Sequence, residues 1–142
     1  MMTPRKTTGR TTRRTPPRET RPLPGLGELE AAIMDVVWRA DDAVRVRDVL
    51  DELESVRNPA YTTVMTVMDN LYRKGWLSRE LDGRAYIYQA TRDRIQAATD
   101  ALRELLADSG DPAAALLHFA RSATTAESRA LTRGLKERGR QR

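Results

Sequence analysis

A chain of 142 residues with a net charge of +5 has room for one domain plus appendages. It has no cysteine and a single histidine, His118, which excludes a disulfide framework, a thiolate metal site and a cysteine nucleophile. No nucleophile-base or metal constellation can be assembled, so neither enzyme activity nor a metal or cofactor is expected; no apolar run approaches the ~20 residues that span a bilayer, and the N-terminus lacks an export core, so no membrane insertion and a cytoplasmic protein are expected.

The charge is unevenly placed. Residues 1–25 hold seven cations, Arg5, Lys6, Arg10, Arg13, Arg14, Arg18 and Arg21, against Glu19 alone. That net of +6 leaves −1 for the rest, so the basic character belongs to the tail and does not by itself make the folded part a nucleic-acid binder. With five prolines and almost no large apolar side chain, residues 1–25 cannot offset their ordering entropy by burial and are expected to be a disordered basic arm. Such an arm is either a solvated leader or a source of added phosphate affinity.

From Gly27 the pattern is helical. Leu29, Ile33, Val36, Val37 and Ala40 recur on one face, with Glu28 and Glu30 in the first turn, where the helix dipole favours anions. After the polar break Asp41-Asp42-Ala43, a second helix places Val46, Val49, Leu50 and Leu53 together. Asn58-Pro59 reads as the start of a third, with Asn58 as its cap; it runs to about Lys74, and Gly75 is its stop. Trp76 to Leu81 and Arg84 to Ala90 alternate as strands do, and Asp82-Gly83 between them is a strong hairpin signal. Three helices followed by a two-stranded wing is the order of a winged helix-turn-helix, expected over residues 26–90 of a mainly α chain.

On the third helix Val64, Val67, Met68 and Leu71 cluster on one side, flanked by Tyr61 and Tyr72. The other side collects Thr62, Thr66, Asp69, Asn70 and Arg73, with Thr63 at its edge. Short polar groups suit a helix that must enter a major groove only ~12 Å wide, and Arg73 and Lys74 at its end suit phosphates. The same pattern also describes an ordinary amphipathic helix with a solvated face, although three exposed threonines have no stability motive in a helix. Arg79 and Arg84 flank the hairpin turn, where they suit phosphate or the minor groove. Tyr86 and Tyr88 share a strand face and read as core residues rather than base-stacking ones; Trp38 and Trp76 read as core or domain-boundary residues.

Beyond the wing, residues 91–138 read as a helical dimerisation domain, with 139–142 as a basic tail. Thr91 and Asp93 open a fourth helix carrying Ile95, Leu102, Leu105 and Leu106. Ser109-Gly110-Asp111-Pro112 interrupts it and starts a fifth with Leu116, Leu117 and Phe119; Thr124 and Glu127 form a capping box for a sixth with Leu131 and Leu135. These large apolar residues are too few for an independent core, and pairing with a second copy would bury both sets. Folding back on the chain's own winged domain is the alternative. A two-fold dimer would present two recognition helices to a palindromic duplex.

Leu26-Gly27-Glu28-Leu29-Glu30 with Ile33-Met34 and Trp38, Ala60-Tyr61-Thr62-Thr63-Val64-Met65-Thr66-Val67, Leu71 with Lys74-Gly75, and Gly83-Arg84-Ala85-Tyr86 with Tyr88 together resemble the penicillinase-repressor (BlaI/MecI) family, over about residues 26–90. The resemblance implies a homodimeric repressor of transcription on double-stranded operator DNA, usually of β-lactamase or penicillin-binding-protein genes, and a membrane sensor protease as the partner that inactivates it. It also implies that Thr62, Thr63, Thr66 and Asn70 face bases, with Met65 against a thymine methyl, while Tyr61, Arg73, Lys74, Arg79 and Arg84 hold the DNA backbone. Asp69-Asn70 departs from the family's usual long polar or basic residue followed by arginine; Asp69 is expected to be repelled by phosphate unless it accepts from a cytosine amine. Copper-responsive relatives bind the metal through cysteines, which this chain lacks. The residues alone leave two other readings open: a winged-helix protein-interaction adaptor, and an RNA-binding basic protein that uses its tail.

Overall fold

A computed structural model describes residues 22–54 and 58–141. Residues 1–21 of the basic arm expected over 1–25, and the final Arg142, lie outside the described residues. The element order is α1 (Glu28–Arg39), α2 (Val46–Glu54), α3 (Tyr61–Arg73), β1 (Leu77–Asp82), β2 (Ala85–Ala90), α4 (Arg94–Asp108), α5 (Pro112–Ser122) and α6 (Thr125–Arg140). The chain divides into two compact units after Gln89.

In the first unit the apolar stripes read from the sequence meet as a core. Ile33, Met34, Val36 and Val37 of α1, Val46, Val49, Leu50 and Leu53 of α2, and Val64, Met68 and Leu71 of α3 are buried, closed by Leu77 and Tyr88 from the wing. Each of the larger side chains contributes on the order of 1.5–3 kcal/mol by leaving water. The three helices pack pairwise, and α3 also packs on β1. Glu30 starts α1 by accepting from the Gly27 N–H at 2.9 Å, so its carboxylate satisfies one of the free donors of the first turn.

Two local expectations are corrected. Asn58 does not cap α3: it stands at φ +43, in the left-handed region that asparagine tolerates better than most residues, and the helix starts at Tyr61 after Ala60. The hairpin loop is Gly83-Arg84 rather than Asp82-Gly83, since β1 keeps Asp82 and β2 begins at Ala85. Gly83 takes φ +68 while Arg84 has an ordinary negative φ, which is the demand of a turn with glycine at its first central position. The shift of one residue puts Arg84 on the tip itself and leaves Asp82 to pair with Arg45 at 2.7 Å. A further pairing was not legible as a strand: Val44 and Tyr88 exchange both backbone hydrogen bonds, at 2.9 and 2.7 Å, and tie the α1–α2 connection to the wing.

The second unit has well-formed helices and almost no core of its own. Asp93 and Gln96 box the start of α4, Asp111 accepts from Ala114 N–H ahead of Pro112 in α5, and Thr124 with Glu127 boxes α6. α6 continues to Arg140, two residues past the predicted limit. Only Ala97 among the described residues of α4, α5 and α6 is buried. Among the described residues no helix is long and apolar enough to cross a membrane.

Candidate nucleic-acid interface

The core face of α3 is closed: Val64, Met68 and Leu71 have no exposed surface. That burial fixes the rotation of the helix and turns its other side outward. Thr62, Thr63, Met65, Thr66 and Asn70 are all exposed on that side, and Met65 shows 44% of its surface. The five residues assigned to base reading therefore share one solvent-facing surface. The Thr66 hydroxyl donates to the Thr62 carbonyl at 2.9 Å, which leaves its lone pairs free to accept from a base amine.

The cations sort differently from the sequence-based expectation. Arg84 sits at the wing tip, exposed and in no ion pair among the described residues. Arg73 is 75% exposed at the end of α3, with Nε 3.0 Å from Asp69. Lys74, expected at phosphate, is half-exposed and pairs within the chain: its Nζ lies 2.9 and 2.8 Å from the two oxygens of Glu30 and 3.4 Å from the Gly25 carbonyl. Burial by itself pushes the Glu30 carboxyl up, but the hydrogen bonds from Lys74 and Gly27 outweigh it and hold the pKa below its ordinary value.

Arg79, expected beside the turn, lies in mid-strand with its guanidinium between two rings, 3.9 Å from the Tyr72 centroid and 4.2 Å from that of Tyr86. It donates to Asp69 at 2.8 Å. Enclosure disfavours its charge, yet the hydrogen bond to Asp69 and the neighbouring Tyr88 and Tyr86 phenols outweigh that and raise its pKa, so it remains a cation. Tyr86 is accordingly a half-open lid over Arg79 rather than the core residue expected, whereas its strand neighbour Tyr88 is buried. Asp69 likewise has a different occupation from the one foreseen: one carboxylate oxygen takes Arg79 and the other Arg73, so local cations offset its repulsion from a polyanion.

One cation beside α3 was not singled out in the sequence. Arg47, exposed in the first turn of α2, lies 6.0 Å from the centroid of Tyr61 at the start of α3. Its signal was the alternation Arg45-Val46-Arg47, in which Val46 faces the core and both arginines face out. In a helix-turn-helix the helix before the recognition helix crosses the phosphate backbone. Trp38 and Trp76, expected as core or boundary residues, are half-buried and meet edge to face at 6.4 Å. No group of carboxylates and His118 is arranged to hold a metal among the described residues.

The sequence profile of the penicillinase repressor family matches residues 26–137. The transcriptional regulator BlaI of Mycobacterium tuberculosis is 38% identical over 118 residues, covering 81% of this chain and 86% of that protein. A penicillinase repressor of Bacillus licheniformis is 25% identical over 71 residues, covering 50% of this chain and 55% of its own length. Among solved structures, the monomeric form of BlaI from Bacillus licheniformis in complex with the blaP half-operator is 25% identical with a TM-score of 0.43, covering 51% of this chain and 87% of that one.

Proposed function

The chain belongs to the penicillinase repressor family, and on that premise we propose that it is a transcriptional repressor that binds operator DNA through α3 and the wing, as a homodimer on a two-fold symmetric site. The family is one of repressors rather than enzymes. The observation that carries the reading is the outward side of α3, where Thr62, Thr63, Met65, Thr66 and Asn70 stand exposed above a closed core face. Hydroxyl and amide groups on a helix reach base edges in a major groove, and the Met65 thioether suits a thymine methyl. Arg47, Arg73 and Arg84, with Tyr61, supply the backbone contacts; Lys74 and Arg79 have internal partners instead.

Dimerisation rests on the second unit. Ile95 is 73% exposed, Leu105 and Leu135 65% each, and Leu102, Leu116, Leu117, Phe119 and Leu131 lie between 43% and 55%. Leu106 is half-buried. So many large apolar side chains in one helical unit are what a second copy would cover, since patches of this kind are rare on monomers. The twofold symmetry of such a pair matches a palindrome, and occupancy of a promoter by the pair is the mechanism of repression.

Selection from a pool of randomised duplexes by the purified full-length protein tests this directly. The reading expects enrichment of an inverted repeat bound by two chains. Enrichment of no sequence, or tighter binding to single-stranded RNA than to duplex DNA in a parallel titration, overturns it.

A further inference from the structure

Asp69 stands on the polar side of α3 and touches two cations at once, Arg73 of its own helix at 3.0 Å and Arg79 of β1 at 2.8 Å. The Arg79 guanidinium also lies over two rings, 3.9 Å from the centroid of Tyr72 of α3 and 4.2 Å from that of Tyr86 of β2. A single side chain from the middle of the hairpin is thus held by α3 through a carboxylate and a ring, and by β2 through another ring. The Arg79 side chain is only 20% exposed, and Asp69 32%. An enclosed charge-assisted hydrogen bond of this geometry is directional, and cation-π stacking restricts the remaining freedom of the guanidinium.

Resting on the DNA-binding reading above, we propose that Asp69 is a positioning and specificity-determining residue. It fixes the wing against the recognition helix so that Arg84 meets the duplex while α3 is in the groove, and it withholds Arg79 and part of the charge of Arg73 from phosphate. Two consequences follow from charge and geometry. Removing the carboxylate returns cationic charge to the surface, which strengthens binding to any duplex and steepens its salt dependence, since each phosphate neutralised adds about 0.9 to the slope of log affinity against log salt. Removing it also loosens the hold of α3 on the middle of the hairpin, while the Val44–Tyr88 pair and Arg45–Asp82 still tie the wing to the rest of the unit, so the contact made by Arg84 keeps its place less tightly and loses part of its worth. Asp69 and Arg84 share no ion pair, and the Asp69–Arg79 contact is the link between α3 and the strand that leads to Arg84 through which the two would couple.

The test is a double-mutant cycle of Asp69→Asn, which keeps the side-chain volume, and Arg84→Ala, read as affinity for the selected inverted repeat and for a scrambled duplex across a salt series. Asp69→Asn should raise scrambled-duplex affinity several-fold, steepen the salt slope by about 0.9 or more, and make the loss caused by Arg84→Ala smaller than in the parent. Asp69→Glu, which retains the anion, should restore most of the coupling. In the DNA-free protein, hydrogen exchange at the amides of Arg84 and Ala85 should quicken in Asp69→Asn while the α1 amides stay protected. Additive losses with unchanged slope and unchanged wing exchange would overturn the proposal. So would a changed base preference at one operator position with additive losses, which would make Asp69 a direct reader of a base. If the parent itself prefers no duplex, the DNA-binding reading fails, and the exchange arm still reports whether Asp69 holds the wing.

Discussion

Lys74 and Glu30 stand 44 residues apart in sequence, and the lysine Nζ lies within 2.9 Å of both carboxylate oxygens of Glu30. The pair ties the end of α3 to the first turn of α1, where the same carboxylate accepts from the Gly27 N–H. The orientation of the proposed reading helix thus depends on a contact at its far end.

Glu30→Ala removes the cap and the ion pair together and should cost roughly 1–2 kcal/mol of unfolding free energy. Because the folded-state pKa of Glu30 lies below the ordinary value of 4.5, its contribution is fully present above that pH and is lost as pH falls through the lowered value. Thermal unfolding of the parent and variant should therefore differ at pH 7 and converge in acid below about pH 4.5. A gap that stays constant into acid would mean the ion pair contributes nothing.

The wing tip gives a second expectation. Gly83 stands at φ +68 with open space where a Cβ would lie, so a substitution there is opposed by backbone conformation and not by a clash. Gly83→Ala should destabilise by about 1–2 kcal/mol, and Gly83→Asn by less, because asparagine tolerates the left-handed region. Equal losses for the two in thermal unfolding would refute a conformational origin.

Much of the fold was legible because it is periodic. The stripes of α1, α2 and α3, the caps at Asp93 and Thr124 and the break before Pro112 all announce themselves within a turn or two of chain. The polar side of α3 was legible for the same reason, since Val64, Met68 and Leu71 leave Thr62, Thr66 and Asn70 nowhere to face but outward. The turn register was not: Asp82-Gly83 and Gly83-Arg84 each satisfy a two-residue loop, and the Arg45–Asp82 pair that accompanies the observed choice spans 37 residues. The partners of the cations were not legible for a similar reason. Whether Lys74 and Arg79 are available to phosphate depends on Glu30 and on Asp69 with its flanking rings, and partners brought together by tertiary packing leave no spacing to read. The single bridge between Val44 and Tyr88 has no period at all.

The second unit carries a prediction about assembly. If a second copy covers Leu105 and Leu116, a Leu105→Asp change acts twice in each dimer; at about 1.5 kcal/mol or more for each lost leucine, dissociation should strengthen at least ~100-fold. Sedimentation equilibrium should then find the parent dimeric and the variant largely monomeric at micromolar concentration, with unfolding of the first unit unchanged. A parent that sediments as a monomer throughout would remove the dimer from the account.

The most direct measurement is the ratio of affinities for the selected inverted repeat and a scrambled duplex, compared between the parent, Thr66→Ala and Arg84→Ala at one salt concentration. With the outward side of α3 reading bases and the wing holding the backbone, Thr66→Ala should lower that ratio about fivefold or more while Arg84→Ala weakens both duplexes alike. Equal losses on both duplexes for Thr66→Ala would contradict the claim that this side of the helix reads sequence.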